Sequence, residues 1–337
     1  MTEATSAESL LGAHLAAQAG LFLRTLPDVR QGNLRRVGGA LHTFGELLDA
    51  DWARQLAADL ATLSEVLGAE QAHGRRLVRL LASIDSLTSA EAAVPGPRAE
   101  GGTGREAVGL LAGHPGAPKA RALMERQVSL ARSRAHSARL QELGSARFHA
   151  LADRMTLLAS DLPLRDRSGD RQPAEALLPA VRATLQELAE SVAELPLERA
   201  ATPYNRDALH RLGGTVTPES TESDDLPWRQ VHTRVLRARY AVEAVQPLLG
   251  AAAERPLELL RGYGDLLERQ AEAAAAAEAA AGAARTPRIT PATAYVLGVV
   301  HADQRLEVEA ARHAFGVSWP DLAHSGWLTD PWLARSN

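Results

Sequence analysis

The chain has 337 residues, a formal net charge of −4, an aromatic content of 4 % and no cysteine. Its length allows one large or two medium domains, and the lack of cysteine excludes disulfides and thiolate chemistry. The many Ala, Leu, Arg and Glu residues, with few β-branched runs, favour helices throughout. The expected compartment is the cytoplasm, because cysteine is absent and the first residues, MTEATSAESL, lack the basic start of a signal peptide. No membrane partner is expected, since no apolar stretch is long enough to span a bilayer.

The N-terminal part of the chain is predicted to form six helices. The first covers 6–24, with Thr5 and Glu8 at the spacing of a capping box. The second follows Pro27, and the third has Asp51 as its cap and ends at Gly68. A fourth helix, QAHGRRLVRLLASI, precedes a loop rich in Gly and Pro. Two further helices are expected at 121–143 and 146–160.

The C-terminal part is predicted to alternate helices with one polar segment. One helix carries an apolar stripe at helical spacing, formed by Leu178, Val181, Leu185, Leu188, Val192 and Leu195. The segment 196–227 is rich in polar and turn-forming residues, so we expect it to be irregular. A helix then begins at Trp228, two more cover 254–267 and 268–284, and a last one covers 290–315.

The segment WRQVHTRVLRARYAVEAV, residues 228–245, concentrates positive charge in an acidic chain. Four arginines and a histidine fall within eleven residues that contain no acid. Helical spacing places Arg229, His232, Leu236, Arg239 and Glu243 on one face. Like charges stacked in this way repel each other, unless the side chains extend into water or an anion lies along the face. The segment therefore indicates either a solvated helix face or an anion-binding surface.

An internal repeat is also predicted. RRVGGALHTFGELL, from Arg35, aligns with LRARYAVEAVQPLL at an offset of 201, which matches Arg36 with Arg237. Some 30 residues later, LGAEQA matches LLERQA at an offset of 199. Two similar offsets across one helical hairpin predict a duplicated unit and two antiparallel helical bundles.

The motifs of common catalytic sites are missing from the sequence. The only lysine, Lys119, is not in a glycine-rich phosphate loop, and there is no nucleophile elbow of the Gly-x-Ser-x-Gly kind. Glu70 and His73 form a single Glu-x-x-His pair, whereas a di-iron bundle needs two. We therefore expect no catalysis, no metal and no cofactor.

Several segments resemble the CHAD domain, the conserved-histidine α-helical domain. PWRQVHTRVLRARYAVEAV is similar to its second signature, and LRRVGGALHTFGELLDADWARQLAADLATLSEVLG is similar to its first signature and the following helix. LGSARFHALADRMTLLASDLPL and LLERQAEA fit later helices of that family. The resemblance covers about 6–322. It implies an all-α fold of two antiparallel four-helix bundles related by a pseudo-twofold, with inorganic polyphosphate bound in a basic groove between them.

The resemblance also implies a division of the chain and a set of ligand-binding residues. The first helical half would be 1–162, a connecting segment with one helix 163–227, the second half 228–322 and a tail 323–337. Together these parts would form one domain. The implied polyphosphate-binding residues are Arg35, Arg36, His42, Arg229, His232, Arg237 and Arg239. Arg132, His136 and Arg139, on neighbouring turns of the arginine-rich segment 121–154, are further candidates that could substitute for cations lost from the signatures. Tyr240 and Glu243 are expected to orient the arginines.

The sequence departs from the family pattern at several basic positions. Arg229 occupies the histidine position of the second signature, and His232 occupies the following arginine position. Non-cationic residues stand at further basic positions of the two signatures, namely Asp28, Gln31, Gly38 and Leu236. A shift by one residue would place Arg30 on the first histidine position but would need a deletion inside a helix. Gln71 and Ala72 replace an Arg-Asp pair. Because a polyanion interface depends on the number of charges it neutralises, these losses would weaken binding.

Two functions follow as hypotheses from these patterns. The first is non-catalytic binding of inorganic polyphosphate. The second is a helical scaffold that kept the fold, lost the ligand and binds a protein partner. Nucleic acid is not the expected ligand, because aromatic residues that could stack on bases are sparse.

Overall fold

The structure is a computed structural model and describes residues 6–25, 31–89, 109–160, 173–201 and 218–327, of which 218–223 are described by their backbone alone. Within these ranges the regular elements are helical and no β-strand element occurs, which confirms the predicted all-α class. The helices are α1 (Ala7–Arg24), α2 (Gln31–Thr43), α3 (Ala50–Thr88), α4 (Ala117–Leu143), α5 (Ala146–Ser160), α6 (Pro173–Ala193), α7 (Leu197–Ala200), α8 (Pro218–Leu249), α9 (Glu254–Ala284), α10 (Pro291–Ser318) and α11 (Pro320–Ala323). Short 3-10 turns occur at Gly45–Leu47 and Gly250–Ala253.

The predicted apolar stripe of α6 is buried along its whole length. Val181, Leu185 and Leu188 are fully buried, and Leu178 and Val192 are at most 6 % exposed. Leu195 follows the end of α6 by two residues and is also buried. A stripe at intervals of three and four residues places these side chains on one helix face, where they leave water together. This prediction is confirmed.

The predicted helix end at Gly68 is wrong, because α3 continues without interruption through this residue. The amide of Gln31 lies against the backbone of Gly68, at the place that a Cβ atom would occupy. The same amide nitrogen donates a hydrogen bond to the Ser64 carbonyl oxygen over 2.9 Å. The glycine therefore makes room for a side chain of another helix, and helix propensity alone did not decide the local structure.

Two predicted helix caps are also wrong. The N-cap of α1 is Ser6, whose hydroxyl accepts a hydrogen bond from the Ser9 amide over 3.1 Å. At the start of α3, the carboxylate of Asp49 accepts from the amides of Asp51 and Trp52, over 3.1 and 2.9 Å. Asp49 and not Asp51 therefore caps this helix. At the start of each of these two helices, the sequence has two suitable capping residues close together. The direction in which the chain enters the helix decides which of them forms the cap.

The C-terminal helices are longer than predicted. The expected boundary between 267 and 268 is absent, because α9 is one helix of 31 residues. The segment 196–227, predicted to be irregular, contains α7 and the start of α8. Residues 202–217 lie outside the described residues, as do Asp28 and Arg30.

The chain divides into two compact units. Unit 1 comprises Met1–Gly68, Ser137–Glu268 and Ala311–Asn337, and unit 2 comprises Ala69–His136 and Arg269–Ala310. The sequence-based division at 162/163 and 227/228 stays a prediction, and so does the duplication into two bundles.

Unit 1 contains the two segments that resemble the family signatures. In it, α8 packs against α6 and α2, and α1 packs against α5 and α2. An aromatic cluster surrounds the start of the 228–245 segment, where the Trp228 and Phe315 rings lie 5.9 Å apart at 80° and Phe315 stacks on Trp319. The Arg312 guanidinium lies 4.9 Å above the Trp228 ring and pairs with the buried Asp225. These contacts hold the segment 228–245 in the core of unit 1.

Unit 2 has a smaller core of its own. Leu80 and Ile84 of α3 pack with Met124 and Val128 of α4 and with an alanine face of α9. A polar group lies beside this core, in which Arg79 pairs with Glu307 and Ser83 donates to Asp303 over 2.7 Å. Unit 2 is therefore held by both apolar burial and ion pairs.

Candidate functional site

The candidate site lies in unit 1, where α2 crosses α8. The crossing is close because Gly39 of α2 faces the Tyr240 ring, and a Cβ atom at Gly39 would lie 2.9 Å from the ring carbon Cδ2. Since glycine has no side chain, the two backbones approach at this point. The arginines of both helices are brought together as a result.

One carboxylate holds two arginines beside this crossing. Nε of Arg36 donates to Oε2 of Glu243 over 3.0 Å, and Nε of Arg239 donates to Oε1 over 2.8 Å. The Cζ atoms of both arginines lie 5.6 Å from the centre of the Tyr240 ring. We call these four residues the Glu243 cluster. Both Nε–H groups are committed to Glu243, so the Nη groups are the donors that remain for a ligand.

A second group, the His42 cluster, consists of His42, Arg234, Arg237 and Glu187 of α6. Nη1 of Arg237 lies 3.4 Å from Nε2 of His42. Burial lowers the pKa of His42, and the charge of Arg237 lowers it further, whereas Glu187 opposes the change. His42 is therefore neutral at neutral pH and acts as a hydrogen-bonding group, not as the cation expected from its place in the signature.

Arg35 and His232 lie near each other on the same pair of helices. Burial lowers the pKa of His232 to about 4, and the positive charge of Arg35 acts in the same direction. His232 is consequently uncharged at neutral pH. Arg35 itself is exposed, so its guanidinium can meet a ligand from water.

Four arginines of α2 and α8 form no ion pair with any carboxylate in the described ranges, namely Arg35, Arg229, Arg234 and Arg237. Elsewhere in unit 1 some arginines are paired, as in Arg154–Asp59, Arg147–Glu142 and Arg255–Glu258, whereas Arg24, Arg182 and Arg261 form no ion pair with a described carboxylate and lie on other helices. Unpaired guanidinium groups on crossing helices can each form charge-assisted, bidentate hydrogen bonds to an oxyanion.

Arg234 was missing from the predicted site. The sequence signal was present, because Arg234 belongs to the acid-free run after Trp228. Arg234 lies on a different face of α8 from Arg229 and Arg239. That face becomes part of a cluster only because α8 packs against α6 and α2. Its Nε is buried and has no hydrogen-bond partner among the described residues.

The non-cationic positions of the signatures have other contacts. Gln31 bonds to the Ser64 carbonyl, and Leu236 lies beside Gly264 of α9. Gly38 has no atom within 4 Å of the place where its Cβ would be. None of these three side chains can supply a positive charge.

The three candidates of α4 are divided between the units. Arg132 and His136 belong to unit 2 and Arg139 to unit 1. Nδ1 of His136 lies 3.1 Å from Oε2 of Glu70, Arg132 is exposed and Arg139 is half-buried. A role for these three residues in ligand binding stays a prediction.

The contacts at the crossing fit the predicted repeat offset of 201. Arg36 contacts Glu243, and the residues at the equivalent positions, Arg237 and His42, contact each other. Gly39 contacts Tyr240, which is its own equivalent position. A duplicated unit would produce this reciprocal pattern, in which His42 takes the place of the carboxylate.

Neither a membrane-spanning helix nor a metal-binding cluster occurs in the described residues. None of the described helices is long and apolar enough to cross a membrane. No group of three or more metal-ligating side chains occurs in the described part of the chain.

Comparison with known proteins identifies the family. The model of the CHAD domain matches residues 24–281. Among solved structures, PptA from Streptomyces chartreusis is similar, with 38 % sequence identity and a TM-score of 0.73, over 94 % of this chain and 99 % of that chain. A comparison with curated proteins gave no match. Since the matched residues include both signature helices, this chain belongs to the CHAD domain family.

Proposed function

We propose that this protein binds inorganic polyphosphate without catalysis, through the arginines of α2 and α8. The observation that carries the proposal is the set of four arginines, Arg35, Arg229, Arg234 and Arg237, that form no ion pair with a described carboxylate. The family resemblance implies polyphosphate as the ligand. We also propose that the ligand lies in a basic groove between two helical bundles.

The charges of the two clusters favour an anion despite the acidic chain. The two clusters contain four arginines, Arg36, Arg234, Arg237 and Arg239, and two carboxylates, Glu243 and Glu187. The balance is therefore positive at this surface, whereas the whole chain carries −4. Local potential and not total charge governs the attraction of a polyanion.

The neutral histidines suit a phosphate ligand as hydrogen-bonding groups. His42 and His232 are both uncharged at neutral pH because burial lowers the pKa of each. Proximity to a phosphate would favour their charged forms and raise both pKa values. Binding is accordingly expected to take up protons below neutral pH.

Titration of long-chain polyphosphate across a salt series tests the proposal. The double variant R234A/R237A should bind at least about tenfold more weakly, since hydrogen bonds to charged groups contribute about 1.5–3 kcal/mol each. The slope of log K against log salt concentration should become shallower by about one to two, because fewer counterions are released.

A matched control uses arginines of the same unit that already have carboxylate partners. Arg54 and Arg255 are exposed and pair with Asp51 and Glu258 in their own helices. The double variant R54A/R255A should bind polyphosphate like the wild type. Equal losses in both double variants would mean that general charge and not this surface governs binding.

Absence of binding at low salt would overturn the proposal and favour the scaffold function. The structure offers one observation for that alternative, since Glu243 already compensates one positive charge and engages Nε of both Arg36 and Arg239. A protein that had lost its ligand would rely on such internal pairs to neutralise its remaining arginines.

A further inference from the structure

Helix α6 brings a carboxylate to the His42 cluster. Thr184 of α6 contacts α2, its hydroxyl lying 3.4 Å from that of Thr43, the residue after His42. Glu187 follows Thr184 by one turn on the same side of α6 and is exposed. α6 also packs along α8, which carries Arg234 and Arg237. Glu187 is therefore held close to the arginines by two contacts of its helix.

The charge of Glu187 acts on both Arg237 and His42, the two residues that lie 3.4 Å apart. Burial lowers the pKa of Arg237, and Glu187 opposes this change while Arg234 adds to it. Glu187 likewise opposes the lowering of the pKa of His42. Its carboxylate makes no ion pair with any described residue. Glu187 thus acts through space, in contrast to Glu243, which is fixed by two hydrogen bonds.

We propose that Glu187 is a specificity-determining residue that weakens the binding of polyanions at the His42 cluster. This inference rests on the proposed polyphosphate function. A phosphate group that approaches Arg237 also approaches Glu187, and the repulsion between the two negative charges offsets part of the attraction. Since both groups are at the surface, the effect is moderate and is screened by salt.

The position of Glu187 makes binding depend on the length of the polyphosphate chain. A single phosphate at the His42 cluster gains the attraction of Arg234 and Arg237 but meets the opposing charge of Glu187. A long polyphosphate chain has enough charges to reach Arg35 and Arg229 as well, and these arginines have no carboxylate partner among the described residues. Glu187 would therefore disfavour small anions that occupy the His42 cluster alone.

The substitution Glu187→Gln tests this inference, with Glu175→Gln as its control. Glu175 is exposed on the same helix and stands twelve residues earlier, about 18 Å along the axis. That separation exceeds the screening length of about 8 Å at physiological salt. E187Q should bind long-chain polyphosphate about 3- to 10-fold more tightly than the wild type, with a salt slope steeper by up to about one. E175Q should bind like the wild type.

A double-mutant cycle separates a through-space effect from a structural one. If Glu187 acts on the ligand beside Arg234 and Arg237, the gain from E187Q should fall below about twofold when R234A/R237A is already present. Circular dichroism of each variant should match the wild type, because Glu187 is exposed.

Each outcome decides between the two proposals. If the wild type binds polyphosphate and E187Q binds it no more tightly, the inference is overturned and the polyphosphate function stays intact. Weaker binding by E187Q would also overturn it, because Glu187 would then position Arg237. Binding by E187Q but not by wild type would support the repulsive effect of Glu187 but overturn the proposed function, because the natural chain would not bind polyphosphate. If neither protein binds at low salt, the proposed function fails and the inference fails with it.

Discussion

Replacement of Gly39 by alanine should push apart the two helices that carry the candidate site. The added Cβ would lie 2.9 Å from Cδ2 and 3.2 Å from Cβ of Tyr240, a residue that is only 5 % exposed. Overpacking of this kind costs about 1–3 kcal/mol. Alanine recovers about 1 kcal/mol of helix propensity relative to glycine. The variant G39A should therefore lose about 0–2 kcal/mol of unfolding free energy.

Gly38 provides the matched control one residue earlier in the same helix. An added Cβ at Gly38 meets no atom within 4 Å. The variant G38A keeps the gain in helix propensity without the steric cost, so it should gain about 1 kcal/mol. The difference between the two variants, about 1–3 kcal/mol, isolates the close contact with Tyr240.

Urea unfolding monitored by tryptophan fluorescence measures the difference in unfolding free energy between G39A and G38A in unit 1. The tryptophans in the described residues belong to unit 1, as do both glycines, and they are Trp52, Trp228, Trp319 and Trp327. Fluorescence therefore reports the unfolding of the unit that contains the crossing. Unfolding free energies that agree within about 0.5 kcal/mol for the two variants would refute the close approach of α2 and α8.

Two further predictions concern the stability of unit 1. Arg312→Ala should cost about 3–5 kcal/mol, because it removes the guanidinium that pairs with the buried Asp225 carboxylate and covers the Trp228 ring. Exposed Arg261→Ala should cost less than about 0.5 kcal/mol in the same urea assay. A loss below 1 kcal/mol in R312A would contradict the buried pair. His232 has a folded-state pKa of about 4, below its ordinary value of 6.5, so the unfolded chain binds the proton first as the pH falls. Its contribution, up to about 3 kcal/mol, should be fully present above pH 6.5 and be lost between pH 6.5 and 4, and H232Q should flatten this part of the stability profile. An unchanged profile in H232Q would show that other groups cause the slope.

Local sequence patterns were sufficient for the helices and for contacts within one helix. The apolar stripe of α6 predicted its buried face, since a period of 3.6 residues places those side chains together whatever their surroundings. The spacing of Arg239 and Glu243 in α8 likewise predicted neighbours on one face, and the two side chains form an ion pair over 2.8 Å. Both features depend on the geometry of a single helix.

Predictions that depend on which helices pack against each other were wrong or incomplete. Gly68 was predicted to end a helix because glycine has low helix propensity, but it accommodates Gln31, a residue 37 positions earlier. Arg234 and Glu187 were not in the predicted site, since their importance depends on the packing of α8 against α6 and α2. No pattern within one helix contains that information.

The sequence by itself determined the all-α class, the family and the two arginine-bearing helices, because composition and spacing along one helix are local properties. Only the tertiary structure decided which arginines are neutralised by Glu243 and which form no ion pair in the described residues. The physical reason is that charge pairing depends on distances of a few ångströms between helices that are about 200 residues apart in the chain. The same packing lowers the pKa of His42 and of His232 through partial burial, so both are uncharged at neutral pH, although their positions in the signatures had predicted cations.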